Sequence, residues 1–107
     1  MSEQATLTRL KRGEDKSYFV IEGPLTFSTV VKLWEQGLVL FKNEPRITID
    51  LKAVTRSDSA GLALLTAWTR EARLSNHPLN FIEIPTQLWA MAKVSGLEII
   101  LPMEPLK

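Results

Sequence analysis

The chain has 107 residues, 45% of them hydrophobic, with 13 basic against 12 acidic side chains and a net charge of +1. That is enough for one packed domain over residues 1–107 without staples, and cations scattered apart from Arg9, Lys11 and Arg12 give no phosphate-tracking surface for nucleic acid. With no cysteine there is no disulfide framework, thiolate metal site or cysteine nucleophile, which suits a reducing cytoplasm.

Residues 1–18 hold no apolar segment like that of a signal peptide, and no run approaches the roughly 20 apolar residues of a membrane span. "ATLTRLK" at 5–11 alternates and predicts a strand. "RGED" at 12–15 is a turn, with Gly13 and Asp15 as its natural residues. "SYFVIEG" at 17–23 is β-branched and aromatic, so the two segments predict a hairpin. Gly23 and Pro24 then break the chain. Over 26–42, Val30, Leu33, Trp34, Leu38 and Phe41 recur at helical spacing. Thr26 or Ser28 caps that helix, and Gly37 weakens it by roughly 1 kcal/mol relative to alanine. "NEP" at 43–45 ends it.

"RITIDLK" at 46–52 is the clearest strand, with Ile47, Ile49 and Leu51 on one side and Thr48 and Asp50 on the other. After the loop "AVTRSD" a second helix covers 59–75, with Leu62, Leu65, Trp68 or Thr69, and Ala72 on its stripe. "LNFIEI" at 79–84 is a further strand. Pro85 opens a third helix, which Gly96 closes. "LEIILPM" at 97–103 ends the pattern as a candidate edge strand. The order β-β-α-β-α-β-α, with a last β at the end, predicts a mixed four- to five-stranded sheet with helices packed on it, an α/β sandwich.

Chemistry is concentrated in "TRSDSAGLALL" at 55–65. Asp58 and Ser59 form an acid–hydroxyl pair. A hydrolase triad would need His77 beside them, yet the G-x-S-x-G context is absent and His77 sits in a turn that reads as solvent-facing. A lone histidine without cysteine is a poor metal site, and no phosphate-binding glycine loop is present. No cofactor, metal or catalytic residue is therefore expected. Asp50 and Asp58 stand at strand ends, and Asp50 reads as structural. Of the tryptophans, Trp34 reads as core, whereas Trp68 and Trp89 are left open between core and interface. Ser59 reads as the N-cap of the second helix, with Asp58 favourably placed near its positive end. Ala60 and Gly61 are small enough for a partner backbone to approach.

"ITIDLKAVTRSDSAGLALL" resembles the STAS domain: an Ile-Asp-Leu strand, a short loop, then Asp-[Ser/Thr]-x-Gly-Leu opening an apolar helix. "GPLT" at 23–26 stands where that family carries a Gly-x-Leu-[Asp/Thr] segment. The longer Val-Thr-Arg-Ser-Asp-Ser-Ala-Gly-Leu run, "KLWE" at 32–35 and "LWAMAKVSGLEIILP" are similar to the branch that serves a bacterial lipid-asymmetry ABC transporter. The resemblance implies a non-enzymatic cytoplasmic subunit that binds and regulates or stabilises the transporter's ATPase subunit. Permease and lipid-binding subunits would share the complex, which alone would bring the chain to the inner membrane. It implies an interface at Arg56, Ser57, Asp58, Ser59, Ala60 and Gly61, with Gly23, Pro24, Leu25 and Thr26 as a second part. In the antagonist branch of the family the serine matching Ser59 is phosphorylated, so an anti-sigma-factor antagonist switched at Ser59 is the alternative.

Overall fold

The computed structural model describes residues 3–12 and 15–104. Its elements are β1 (Thr6–Arg12), β2 (Ser17–Leu25), α1 (Val30–Leu40), β3 (Ile47–Asp50), β4 (Val54–Ser57), α2 (Ser59–Leu74), β5 (Leu79–Ile82) and α3 (Thr86–Val94). A short 3-10 turn, Leu97–Ile99, follows. The predicted hairpin forms, β1 lying antiparallel to β2. Gly13 of its turn lies outside the described residues. The sheet runs β1-β2-β3-β5, with β3 parallel to β2 and β5 parallel to β3.

The strand β4 is absent from the sequence reading, which made "AVTRSD" a loop. It pairs parallel with the far end of β2, Gly23 opposite Val54 and Leu25 opposite Ser57. Four residues with only Val54 and Ser57 buried carry too little alternation to announce a strand. The expected break at Gly23 and Pro24 is likewise a continuation: Gly23, at φ 104°, and a register shift between Gly23 and Leu25 bend β2 without ending it. Bent in this way, β2 pairs with β3 through its first half and with β4 through its second.

One sheet face carries Phe19, Ile21, Ile47, Ile49 and Phe81, all buried in the core with Leu33 of α1, Leu65 and Trp68 of α2, and Leu88 of α3. The opposite face, with Tyr18, Val20, Asp50 and Ile82, is half-exposed. The stripe predicted for α1 is rotated. Leu33 and Gly37 are the buried positions, and Leu38 is 48% exposed. The cause is Gly37, where a Cβ would stand 2.6 Å from Trp68 Nε1; the bare backbone admits the indole and fixes which side of α1 faces α2. Trp68 is thus core, 2% exposed, while Trp34 and Trp89 are half-buried. Neither Thr26 nor Ser28 caps α1. Thr29 holds that position, and its hydroxyl accepts from Thr26 N at 3.0 Å to close the preceding turn. Gly96 ends α3 in the left-handed conformation, φ 71°, donating to the Lys93 carbonyl. The expected last edge strand is reduced to a bridge between Met103 and Phe81, because the 3-10 turn consumes its first residues. No described helix is long and apolar enough to cross a membrane.

Candidate functional site

The candidate surface forms where the C-terminal ends of β2 and β4 meet the start of α2. Asp58 N donates to the Leu25 carbonyl at 3.1 Å, closing the last pairing of β2 with β4. This brings the segments 23–26 and 56–61, distant in sequence, into one corner. The N-cap of α2 is Asp58, one residue before the expected Ser59. Its extended backbone (φ −120°, ψ −170°) lets Oδ1 accept from Ala60 N at 2.8 Å. Its other oxygen accepts from Phe27 N at 3.1 Å, tying the turn after β2 to the helix start. Both carboxylate oxygens are taken up by the chain's own amides. The carboxylate also sits favourably at the positive end of the helix.

Freed from capping, Ser59 is exposed in the first helical turn. Its hydroxyl has no hydrogen-bond partner among the described residues. Ala60 is half-buried. Gly61 is buried, and its smallness serves an internal contact: a Cβ there would stand 2.7 Å from the Leu25 carbonyl oxygen and 2.8 Å from Ser57 Oγ. The expectation that Gly61 opens the way to a partner backbone is corrected on that ground. Leu25, Thr26 and Ser57 are also buried. They support the corner from beneath, as Ser57 N does by donating to Gln87 Oε1 of α3 at 3.3 Å. Gly23 and Pro24 are half-buried along the bend, and Arg56 is exposed.

Four contributors carried no local sequence signal. Phe27 stands 85% exposed beside Asp58. Val94, 89% exposed, and Met91 join Ser59 and Leu62 around a groove of about 280 Å³ between α2 and α3. Glu3 pairs with Arg56 and accepts from Thr26 Oγ1. All four reach the site only through tertiary packing.

The triad geometry does not form. Ser59 follows the C-terminal end of β4, whereas His77 precedes the N-terminal end of β5, at the opposite edge of the parallel strands. His77 is half-buried, contrary to its reading as solvent-facing, because its Nδ1 meets the Glu44 carbonyl. A carbonyl only accepts, so Nδ1 carries the proton. Asp50 is engaged locally, accepting from Lys52 N at 2.7 Å. Among the described residues, no group of three or more histidine, aspartate or glutamate side chains is arranged to hold a metal ion.

The family model described as "Mlab, STAS domain" matches residues 8–102. The intermembrane phospholipid transport system binding protein MlaB of Haemophilus influenzae is 32% identical over 92 residues, covering 82% of this chain and 88% of that protein. Among solved structures, a protein described as an anti-sigma factor antagonist from Thermotoga maritima superposes with a TM-score of 0.78 at 14% identity, over 90% of this chain and 84% of its own. An anti-sigma factor antagonist from Mycobacterium paratuberculosis gives 0.75 at 24% identity, over 94% and 87%. These structures share the fold; the chain belongs to the STAS domain family and is most like MlaB.

Proposed function

We propose that the chain is a non-enzymatic STAS subunit of a phospholipid-trafficking ABC transporter, binding and regulating or stabilising its ATPase subunit from the cytoplasmic side. The single observation that carries the docking reading is the exposed Ser59 hydroxyl at the start of α2, with the exposed Phe27 tied to the neighbouring Asp58 and with Met91 and Val94 lining the same groove. An exposed aromatic beside a polar group is a common anchor for a protein interface. The partner-facing set is Arg56, Ser59 and Ala60 with Phe27. Asp58 and Gly61, with Ser57, Leu25, Gly23 and Pro24, hold that set in place, and the buried Thr26 lies under it with its hydroxyl turned to Glu3. The likeness to MlaB supports the choice of partner, and the permease and lipid-binding subunits then join through the complex, which brings the chain to the inner membrane.

The test is co-purification with the transporter's ATPase subunit and assay of its ATP hydrolysis. Ser59→Arg puts a long cation on an exposed position, so the fold is expected to keep its melting temperature while association drops at least about tenfold. Unchanged association and activity would remove Ser59 from the interface. A second reading, the antagonist switched by phosphorylation, draws on the same free hydroxyl. A phosphate at Ser59 brings about −1.5 to −2 charges next to Asp58. Intact mass of the protein from cells separates the readings, since the transporter role requires no phosphorylated form.

A further inference from the structure

Residues 3–5 lie against the bend of β2. Ala5 is buried, and Gly23 lets the segment sit tight against it: a Cβ at position 23 would stand 2.6 Å from the Gln4 carbonyl oxygen and 3.1 Å from Ala5 Cα. This seating delivers the Glu3 carboxylate to the docking corner. One oxygen accepts from Thr26 Oγ1 at 2.9 Å, and the other pairs with Arg56 Nη2. The two side chains are 59% (Arg56) and 29% (Glu3) exposed. An exposed guanidinium beside a buried, anchored hydroxyl is a receptor for a carboxylate. In the free chain its occupant is the chain's own Glu3. An ion pair so open to water adds little stability and exchanges readily.

We propose that Arg56 and the Thr26 hydroxyl receive a carboxylate side chain of the partner protein, and that docking displaces Glu3 from them. The proposal rests on the docking reading given above and specifies the partner's chemistry: an acidic residue adjacent to apolar ones that cover Phe27 and the groove beside Ser59. Glu3 is then an internal competitor, set to leave.

Titration calorimetry against the purified ATPase subunit tests the exchange. Glu3→Gln keeps an acceptor for Thr26 and removes the competing charge, so Kd is expected to tighten by about two- to fivefold. Arg56→Gln is expected to weaken binding by about tenfold or more. The charge-exchanged double variant, Glu3→Arg with Arg56→Glu, retains the internal pair and the melting temperature but presents the wrong sign to the partner, and binding is lost. If Glu3→Gln leaves Kd unchanged or weakens it, or if the double variant binds like the wild type, the exchange is overturned while the docking reading stands. A wild-type chain that fails to bind the ATPase overturns the docking reading itself, and the exchange falls with it.

Discussion

Each oxygen of the Asp58 carboxylate accepts from a different segment, Oδ1 from Ala60 N and Oδ2 from Phe27 N. One side chain therefore starts a helix and fastens a turn about thirty positions earlier in sequence. The consequence for Ser59 is that its hydroxyl is released from capping. Gly61 completes the corner by leaving room for the Leu25 carbonyl and Ser57 Oγ. Gly61→Ala is expected to cost about 2 kcal/mol, because the added methyl meets backbone that has nowhere to move. Urea unfolding gives the measure, and an unchanged midpoint would show that the corner yields. The Asp-Ser-x-Gly-Leu signature was legible in sequence. Which of its members caps and which is exposed was not, since Asp and Ser are almost equally good N-caps and the helix start differs by a single residue.

Among the elements, the contact between α1 and α2 is set by Gly37 and Trp68. Read alone, Gly37 is a weak point of roughly 1 kcal/mol, and alanine there should stabilise the helix. Packed, it is the place where the indole enters, with Trp68 Nε1 at 2.6 Å and Phe41 Cε2 at 3.1 Å from a would-be Cβ. Phe41 stacks edge-on against Trp68, ring centres 5.3 Å apart. Gly37→Ala is therefore expected to destabilise the protein by about 1–2 kcal/mol net, the crowding outweighing the propensity gain. Tryptophan emission, followed through denaturation, reports both effects; a variant at least as stable as wild type would show that the seam has slack. The helix periodicities were readable because burial repeats every three to four residues. The rotation of α1 that exposes Leu38 was not, because a glycine gives no hydrophobic signal at a position that is in fact closely packed.

Across the whole molecule, the two ends of the parallel strands have different tasks. The C-terminal end presents the corner proposed for docking. The N-terminal end is closed by Glu44, fully buried, whose carboxylate takes Arg9 Nη2 at 2.9 Å and the Ser17 hydroxyl, while its carbonyl meets His77. That cluster joins β1, β2 and the loops before β3 and β5. Glu44→Ala removes the acceptor of a buried hydroxyl and of the Arg9 guanidinium, and is expected to cost about 3 kcal/mol. Glu44→Gln, which keeps the shape and part of the hydrogen bonding, should cost less. Thermal unfolding of both variants checks the order, and equal losses would mean that the charge itself contributes most of the stabilisation.

Sequence by itself determined the alternation of strands and helices, the hairpin and the one region rich in chemistry. These features rest on local periodicity and on residue types whose conformational preferences act over a few positions. Tertiary structure alone decided that β2 bends at Gly23 to reach β4, that His77 and Ser59 lie at opposite edges, and that Glu3 and Phe27 join the corner at Ser59. Those outcomes depend on pairing between segments far apart in the chain. Each is fixed by the space that a glycine leaves or the amide that a carboxylate can reach, and neither is visible until the backbone has closed upon itself.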